Sequence, residues 1–386
     1  MSQAIIIRLL EDQDKEATLR VAVGDIRTER ATANVFCVDP ESFVQIPGSP
    51  FAYWVGEEIR RLFRQLPPFE SSERKVRVGL QTSDDFRFLR LWWEVEATRL
   101  NSTDCHGDPD QLRQQTWQGY PWCPLAKGGT HAPFYTDLHM VVNWVDDGRE
   151  VKEWARHVYR GGHWSRNVRS EDDYFQPGFF QTLRANRLAP HATPRGAIFS
   201  HNGFQAFATE GNLYSTLAML NSAPLEVLYK LLLGRSGFAL YVAGSLQITP
   251  FPESIPTTLD TLGRAAVAAR RFLDTANETT HVFQLPALLQ LPLTRLADSV
   301  AGWMHYVQET NAQLTENQEQ IDSIAFRLYG IEGENRRVVE ASLRKQEASA
   351  EEETRDDEEA PGPTIGASSL EGVMNYFEQW SSSVQQ

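Results

Sequence analysis

The hydrophobic pattern of the chain changes near Glu210, and this change constrains the fold more than any other feature. Before it, from 160 to 210, Gly and Pro repeatedly interrupt short apolar runs, which predicts loops and short strands. Thr315, followed by Gln318 three residues later, is predicted to cap a helix. Beyond Glu210, apolar residues recur at helical spacing, which predicts helices over 212–221, 224–233, 258–275, 292–313 and 316–329.

The first 160 residues are predicted to mix helices and strands. Ser83 is expected to cap one helix, and Pro67 is expected to end another. The helices are expected over 14–23, 51–66, 84–94 and 147–159. Strands are expected over 33–38, 75–81 and 138–144, an extended segment over 246–252, and irregular structure over 101–135.

The end of the chain has the composition of a disordered tail. Residues 348–369 are acidic and then rich in Pro, Gly and Ser, and 370–380 is predicted to form a short amphipathic helix. The sequence as a whole therefore predicts an α+β protein. A mixed α/β domain is followed by a mainly helical C-terminal region and this acidic tail.

Charge is unevenly distributed. The 386 residues carry a net charge of −14, but the part from Ile331 to the end holds thirteen acids and five bases. Between Arg149 and Glu210, nine Lys and Arg residues outnumber six acids, and four His lie among them. A local basic face matters more for nucleic-acid binding than the total charge does. The stretch 149–210 is therefore a candidate DNA-binding region.

Several classes of protein are disfavoured by composition. The three cysteines, Cys37, Cys105 and Cys123, are too few and too scattered for a disulfide framework. The sequence has neither a signal-peptide pattern nor an apolar run of membrane-spanning length. No His pair has zinc-site spacing with a matching Cys pair. We therefore expect a cytoplasmic protein with no metal site and no membrane partner.

Motifs for catalysis are also missing. Amino-group DNA methyltransferases need an Asn or Asp before Pro-Pro-Tyr/Phe, so that a side chain and a backbone carbonyl accept hydrogen bonds from the target amine. The sequence has Leu66 at that position, before Pro67-Pro68, which favours a simple helix stop. Glu150-Val151-Lys152 follows Asp146-Asp147 too closely for a magnesium nuclease, which favours a solvated helix start. No catalytic residue is predicted.

Three loop motifs remain that are dense in hydrogen-bond donors and aromatic rings. They lie at 127–129, 159–166 and 195–203. Such loops suit contacts to phosphates and base edges, although each alone is equally consistent with a glycine-rich surface turn. The predicted DNA-binding residues are Lys127, Arg160, His163, Arg166, Arg169, Arg195, Ser200 and Asn202.

Segments over roughly residues 5–335 resemble, in order, the C-terminal part of BREX-type PglX adenine methyltransferases. They also resemble that part of the fused, type IIG-like restriction–modification enzymes. The segments are PFAYWV at 50–55, VGLQTSDD at 78–85, FLRLWWE at 88–94, PW at 121–122, KGG at 127–129, VNW at 142–144 with Asp147-Gly148, LAMLNS at 217–222, ITPFP at 248–252 and IDSIAFRLYGI at 321–331. The VGLQTSDD and KGG stretches are the most specific to this family.

The resemblance implies a target-recognition region followed by a helical spacer. We expect an α/β lead-in and connector at 1–100, a target-recognition domain at 101–255 and a helical spacer at 256–347. The sequence departs from the family in lacking the catalytic core and in carrying the acidic tail at 348–386. No cofactor is then expected in this chain, and S-adenosylmethionine is expected in a separate methyltransferase catalytic subunit. The other implied partners are double-stranded DNA and further phage-defence proteins. The implied role is that of a specificity subunit or fragment in a BREX, DISARM or restriction–modification-like system.

Two alternative functions stay open at this level. One is a DNA-binding interaction or regulatory protein of a defence complex with no role in methylation. The acidic tail motivates this hypothesis, because its charge suits it to mimic DNA or to occupy a basic groove when DNA is absent. The other alternative is an independent enzyme such as a nuclease.

Overall fold

The computed structural model describes residues 3–9, 12–28, 30, 34–101, 108–129, 132–233, 239–291 and 295–344. All of them belong to one compact unit, Met1–Arg344. The acidic segment at 348–369 and the helix predicted at 370–380 lie outside the described residues. The predicted domain boundaries within the compact unit stay a prediction.

Strands in the described residues are short and concentrated before Glu210. In chain order they are β1 (Ala4–Ile7), β2 (Val35–Val38), β3 (Arg74–Arg77), β4 (Leu89–Leu91), β5 (Trp122–Ala126), β6 (Met140–Asn143), β7 (Gly178–Thr182), β8 (Arg184–Ala185), β9 (His191–Thr193), β10 (Ile198–Phe199), β11 (Gly203–Ala208) and β12 (Ala239–Leu240).

The long helices follow the strands, as the change of pattern predicts. In chain order the helices are α1 (Lys15–Arg27), α2 (Glu57–Gln65), α3 (Asp85–Phe88), α4 (Pro109–Gln115), α5 (Val145–Val158), α6 (Leu213–Leu220), α7 (Ala223–Leu233), α8 (Ala243–Gln247), α9 (Thr257–Asp274), α10 (Ala287–Gln290) and α11 (Leu296–Tyr329). The α+β class is confirmed. None of these helices is both long enough and apolar enough to cross a bilayer.

Two four-stranded sheets organise the molecule. One has the order β3-β11-β7-β9 and is antiparallel throughout. The other has the order β10-β5-β6-β4, and in it β10 runs parallel to β5. Successive side chains of a strand point to opposite faces. Accordingly, Phe179 of β7 packs into a core formed with α2, α6, α7, α9 and α11, whereas Phe180 packs into a second core with β5, β6 and α5. The antiparallel sheet therefore separates the two cores.

Two predicted helices are shorter than expected, one at its amino-terminal side and the other at its carboxy-terminal side. The helix expected from 51 begins only at Glu57, because Phe51 and Tyr53 belong to a cluster of aromatic rings instead. The helix expected over 84–94 is a single turn, α3, capped by Asp84 rather than Ser83. It ends where β4 begins, since the backbone of β4 pairs with β6. Tertiary strand pairing overrides local helical preference here.

The two helices predicted on either side of Thr315 are one continuous helix, α11. The Thr315 hydroxyl donates a hydrogen bond to the carbonyl of Asn311 at 3.0 Å, within the helix, and caps nothing. The irregular region predicted over 101–135 contains α4 and β5. The helices predicted over 212–221, 224–233 and 258–275 are confirmed as α6, α7 and α9 within one or two residues at each end.

Candidate nucleic-acid interface

Three segments that are distant in sequence run parallel at one edge of the second core. Leu80 forms a parallel bridge with Ser200, and Phe199 pairs in parallel with Ala126 of β5. The Leu80 amide donates to the Phe199 carbonyl, and the Ser200 amide donates to the Ala126 carbonyl, each at 2.9 Å. Parallel segments end on the same side. The residues that follow Leu80, Ala126 and Ser200 therefore meet at one edge, which we call the loop edge.

Lys127 occupies the centre of the loop edge. Its ammonium group forms an ion pair with Asp85, the first residue of α3, and the Thr82 hydroxyl donates a hydrogen bond to the same carboxylate. The Lys127 side chain is only 13% exposed. Burial raises the pKa of Asp85, but the hydrogen bonds from Lys127 and Thr82 outweigh that effect and lower the pKa below its usual value. Asp85 is therefore ionised at neutral pH and holds Lys127 in place.

His201 lies beside this ion pair. Its amide donates to the Leu80 carbonyl at 2.9 Å, and its Nδ1 lies 3.2 Å from the same oxygen. Burial is the main reason that its pKa is lowered, and the positive charges of Lys127 and Arg169 lower it further. The imidazole is therefore neutral at neutral pH.

The loop 160–170 is attached to the loop edge by side-chain hydrogen bonds. The buried Asn167 donates from Nδ2 to the Ser83 hydroxyl at 2.7 Å, and its carbonyl accepts from the Gln81 amide at 2.8 Å. The Ser170 hydroxyl donates to the Val78 carbonyl at 3.1 Å. This loop contains three Arg and no acidic residue. It therefore adds positive charge next to Lys127.

Four of the predicted DNA-binding residues lie on this loop with exposed side chains. The Arg169 guanidinium donates to the Arg166 carbonyl at 2.9 Å, and the Arg166 guanidinium lies 5.8 Å from the centre of the Tyr159 ring. His163 caps a short helical turn by accepting from the Ser165 amide at 3.2 Å. Arg160 has a left-handed backbone conformation, with φ of 49°, just after α5.

The remaining predicted residues are placed differently. Ser200 is buried, and its hydroxyl accepts a hydrogen bond from the Asn202 amide at 3.1 Å. Asn202 is half-buried at the loop edge. Arg195 lies on the other side of β10, five residues before Ser200, and forms an ion pair with Glu210. The structure thus places Lys127 and Asn202 at the loop edge and Arg166 and Arg169 on the loop attached to it, whereas Arg195 lies elsewhere.

Sequence reasoning missed the side chains that support this edge, namely Thr82, Asp85, Asn167 and His201. Thr82 and Asp85 lie within the VGLQTSDD motif, and His201 lies in the polar turn after β10, at 200–203. Both motifs stand out in the sequence alone. Those motifs were the available signal. The pairing of Asp85 with Lys127, 42 residues away, depends on the sheet arrangement, which no local pattern encodes.

A separate charged network lies at the start of α5, around the acidic segment at 146–147. The Arg113 guanidinium contacts Asp147 at 2.8 Å and Glu171 at 3.6 Å, and Lys152 forms ion pairs with the same two carboxylates. Burial is the main cause of the raised pKa of Glu171; Lys152 opposes this shift and Asp147 adds to it. Two cations thus neutralise the two carboxylates. Among the described residues, no group of three or more His, Cys, Asp or Glu is arranged to hold a metal ion.

The Pro-Pro segment is part of the first core. The Pro67 carbonyl accepts a hydrogen bond from the Phe251 amide at 2.9 Å, Pro68 forms a bridge with Pro250, and Phe69 is fully buried. The Leu66 side chain offers no hydrogen-bond acceptor to an amine. This segment therefore does not fit the adenine-binding loop of a methyltransferase.

The chain is similar in sequence to two adenine-specific methyltransferases. It is 25% identical over 322 residues to BrxX of Escherichia coli O9:H4 (strain HS), an alignment that covers 81% of this chain and 24% of BrxX. It is 22% identical over 312 residues to PglX of Lacticaseibacillus casei (strain Zhang), covering 78% of this chain and 24% of PglX. The chain spans about a quarter of the length of these relatives.

Comparison with solved structures gives weaker similarities. The type IIL restriction–modification enzyme MmeI, solved in complex with DNA, aligns with a TM-score of 0.39 and 14% identity over 73% of this chain and 36% of MmeI. The type IIG restriction endonuclease BpuSI aligns with a TM-score of 0.30 and 12% identity over 81% of this chain and 39% of BpuSI. TM-scores this low do not establish a shared fold. No protein-family profile matches the chain. The chain is thus weakly similar to one quarter of BrxX and PglX.

Proposed function

We propose that this chain is the DNA-recognition part, a specificity subunit or fragment, of an adenine-specific DNA methyltransferase in a phage-defence system. In this proposal the chain holds the duplex and reads base edges. A separate catalytic subunit binds S-adenosylmethionine, takes the adenine out of the base stack and methylates its amine. The weak similarity to BrxX and PglX supports the enzyme class.

One observation carries the proposal. The two motifs most specific to the resemblance, at 78–85 and 127–129, converge with the polar turn after β10 at the loop edge. The cationic, acid-free loop 160–170 is attached there. Positive side chains on an otherwise acidic protein are what a polyanionic duplex requires. The convergence therefore supports DNA as the ligand.

The residues at this edge are suited to different tasks. Arg160, Arg166 and Arg169 are exposed and long enough to reach phosphates or the N7 and O6 atoms of guanine. Asn202, half-buried, is suited to a base-edge contact that depends on a fixed geometry. Lys127 is mostly buried and paired with Asp85, so we assign it a positioning role, in which it holds the turn that carries α3.

A binding titration tests the proposal. A labelled 30-base-pair duplex of mixed sequence is titrated with wild type and with the double variant Arg166→Ala/Arg169→Ala at several salt concentrations. Each lost phosphate contact should reduce the slope of log Kd against log salt by about 1. Arg61→Ala is the matched control, because Arg61 is an exposed arginine on α2 that forms an ion pair with Glu57 of the same helix. Equal affinity and slope for wild type and the double variant would contradict the proposal.

A further inference from the structure

Phe86, in α3, exposes an aromatic ring almost completely to solvent. Its relative exposure is 95%, and the next most exposed large hydrophobic side chain among the described residues is Leu296, at 69%. Single exposed apolar residues are common and need no explanation by themselves. Phe86 differs because of the support beneath it and the charges of the segments connected to its turn.

Hydrogen bonds and an ion pair fix the backbone before and after Phe86. The Asp84 carboxylate accepts from the Arg87 amide at 3.1 Å, and Asp85 is fixed by Lys127 and Thr82. The Arg90 guanidinium donates to the Phe86 carbonyl at 2.6 Å. Immediately before the turn, Ser83 adopts a left-handed conformation with φ of 60°, and its hydroxyl accepts from Asn167. Such a conformation persists only where surrounding contacts impose it.

This anchoring lowers the cost of using the ring for binding. A phenylalanine ring has two side-chain torsions, and a fixed backbone leaves little further freedom to lose on contact with a partner. Phe88, two residues later, is fully buried in the second core and fixes the orientation of the turn. The molecule therefore presents a rigid apolar ring outward rather than a flexible loop.

The segments connected to the turn that carries the ring are cationic. Residues 83–91, Lys127 and the loop 160–170 together contain six Lys and Arg against two acids, Asp84 and Asp85, both of which are engaged in the contacts just described. The guanidinium of the exposed Arg87 lies over the Trp154 ring at 4.7 Å. An apolar ring on a turn connected to cationic segments matches a partner with flat faces and a polyanionic backbone, and it does not match an apolar protein surface.

We propose that Phe86 stacks against a base of the bound DNA, as a wedge inserted at one base step. Apolar side chains inserted in this way unstack a step and kink the duplex. The inference rests on the proposed DNA-binding function and deepens it, because it assigns to α3 a contact that is independent of charge. Arginines of the loop 160–170 would neutralise phosphates, and Phe86 would contact bases.

The test compares Phe86→Ala, Phe86→Trp and the control Leu296→Ala. Leu296 is exposed at the start of α11 and is matched to Phe86 as an exposed apolar side chain. Each protein is titrated with a labelled 30-base-pair duplex and with the same duplex containing one central abasic site. All variants should keep the wild-type melting temperature, since neither substituted side chain is buried.

We expect Phe86→Ala to weaken duplex binding about 5- to 150-fold, the range that corresponds to the stacking of one base on an aromatic ring. The slope of log Kd against log salt should not change. Phe86→Trp should retain binding. Wild type should bind the abasic duplex more tightly than the intact duplex, because a wedge has no stacked base to displace at the abasic site. This difference in affinity should be smaller for Phe86→Ala.

Two results would overturn the inference while leaving DNA binding intact. One is wild-type affinity of Phe86→Ala for both duplexes. The other is wild-type affinity together with a changed oligomeric state in sedimentation, which would assign the ring to a protein contact. A wild-type protein with no salt-dependent affinity for either duplex would overturn the proposed function itself, and the inference with it.

Discussion

Gly79 lies where the first segment of the loop edge meets β10, and it leaves no room for a side chain. A Cβ atom added there would lie 1.9 Å from the Phe199 carbonyl oxygen and 2.6 Å from the Phe199 ring. Phe199 is fully buried among the rings of Tyr174 and Phe207 and has no space to retreat. In Gly79→Ala the two segments must therefore separate.

The cost follows from what this separation disrupts. The amide of Leu80 donates to Phe199, and the amide of His201 donates to Leu80, each at 2.9 Å. Weakening two such bonds costs about 1 kcal/mol each. Strain from the extra methyl group in a packed core adds about 1 to 3 kcal/mol. We expect Gly79→Ala to lose about 3 to 5 kcal/mol of the free energy of unfolding, a large share of the roughly 5 to 15 kcal/mol typical of a domain.

Urea unfolding followed by circular dichroism measures this loss as a lower midpoint at unchanged slope. Gly211→Ala is the matched control, because a Cβ there meets nothing within 4 Å and its backbone is not left-handed. The control should stay within about 0.5 kcal/mol of wild type. A Gly79→Ala protein as stable as this control would refute the parallel contact between Leu80 and Ser200 on which the loop edge depends.

Two further substitutions test individual contacts. Burial lowers the pKa of His191 to about 4, so the folded state favours the neutral imidazole. The neutral imidazole contributes up to about 3 kcal/mol to the free energy of unfolding. This contribution is complete above the unfolded pKa of about 6.5 and is lost as pH falls towards 4. A His191→Leu variant should lack this slope in urea unfolding between pH 7 and 4, and an unchanged slope would assign it to another group. Thr315→Ala should leave stability equal or raise it by up to about 0.6 kcal/mol, because Thr315 lies inside α11. A loss near 1 kcal/mol in thermal unfolding would instead indicate a helix cap.

The sequence predicts those elements whose signal is local and periodic. The helices α6, α7 and α9 are strongly apolar at helical spacing, and their positions are confirmed. The prediction is wrong over 84–94, where Leu89 and Leu91 leave the helical pattern because they pair with Val142 and Met140 of β6. A partner about 50 residues away decides the structure there, and a window of ten residues does not contain it.

The same limit applies to the candidate site. Donor-rich loops were recognisable by composition, so Lys127, Arg166 and Arg169 could be named in advance. Their common location could not be named, because it depends on the parallel pairing of segments near 80, 126 and 200. Asp85 and His201 were missed for the same reason, since each gains its role only from neighbours brought close by the fold.

Sequencing of modified bases in the native host tests the proposal that this chain selects DNA for adenine methylation. Three strains are compared with one that lacks the gene: one with the intact gene, one carrying Arg166→Ala/Arg169→Ala, and one carrying the control Arg61→Ala. We predict that one methylated adenine motif is present in the intact and control strains and is lost or changed in the double variant. An identical adenine methylation pattern in all three strains, and in the strain that lacks the gene, would contradict the proposal.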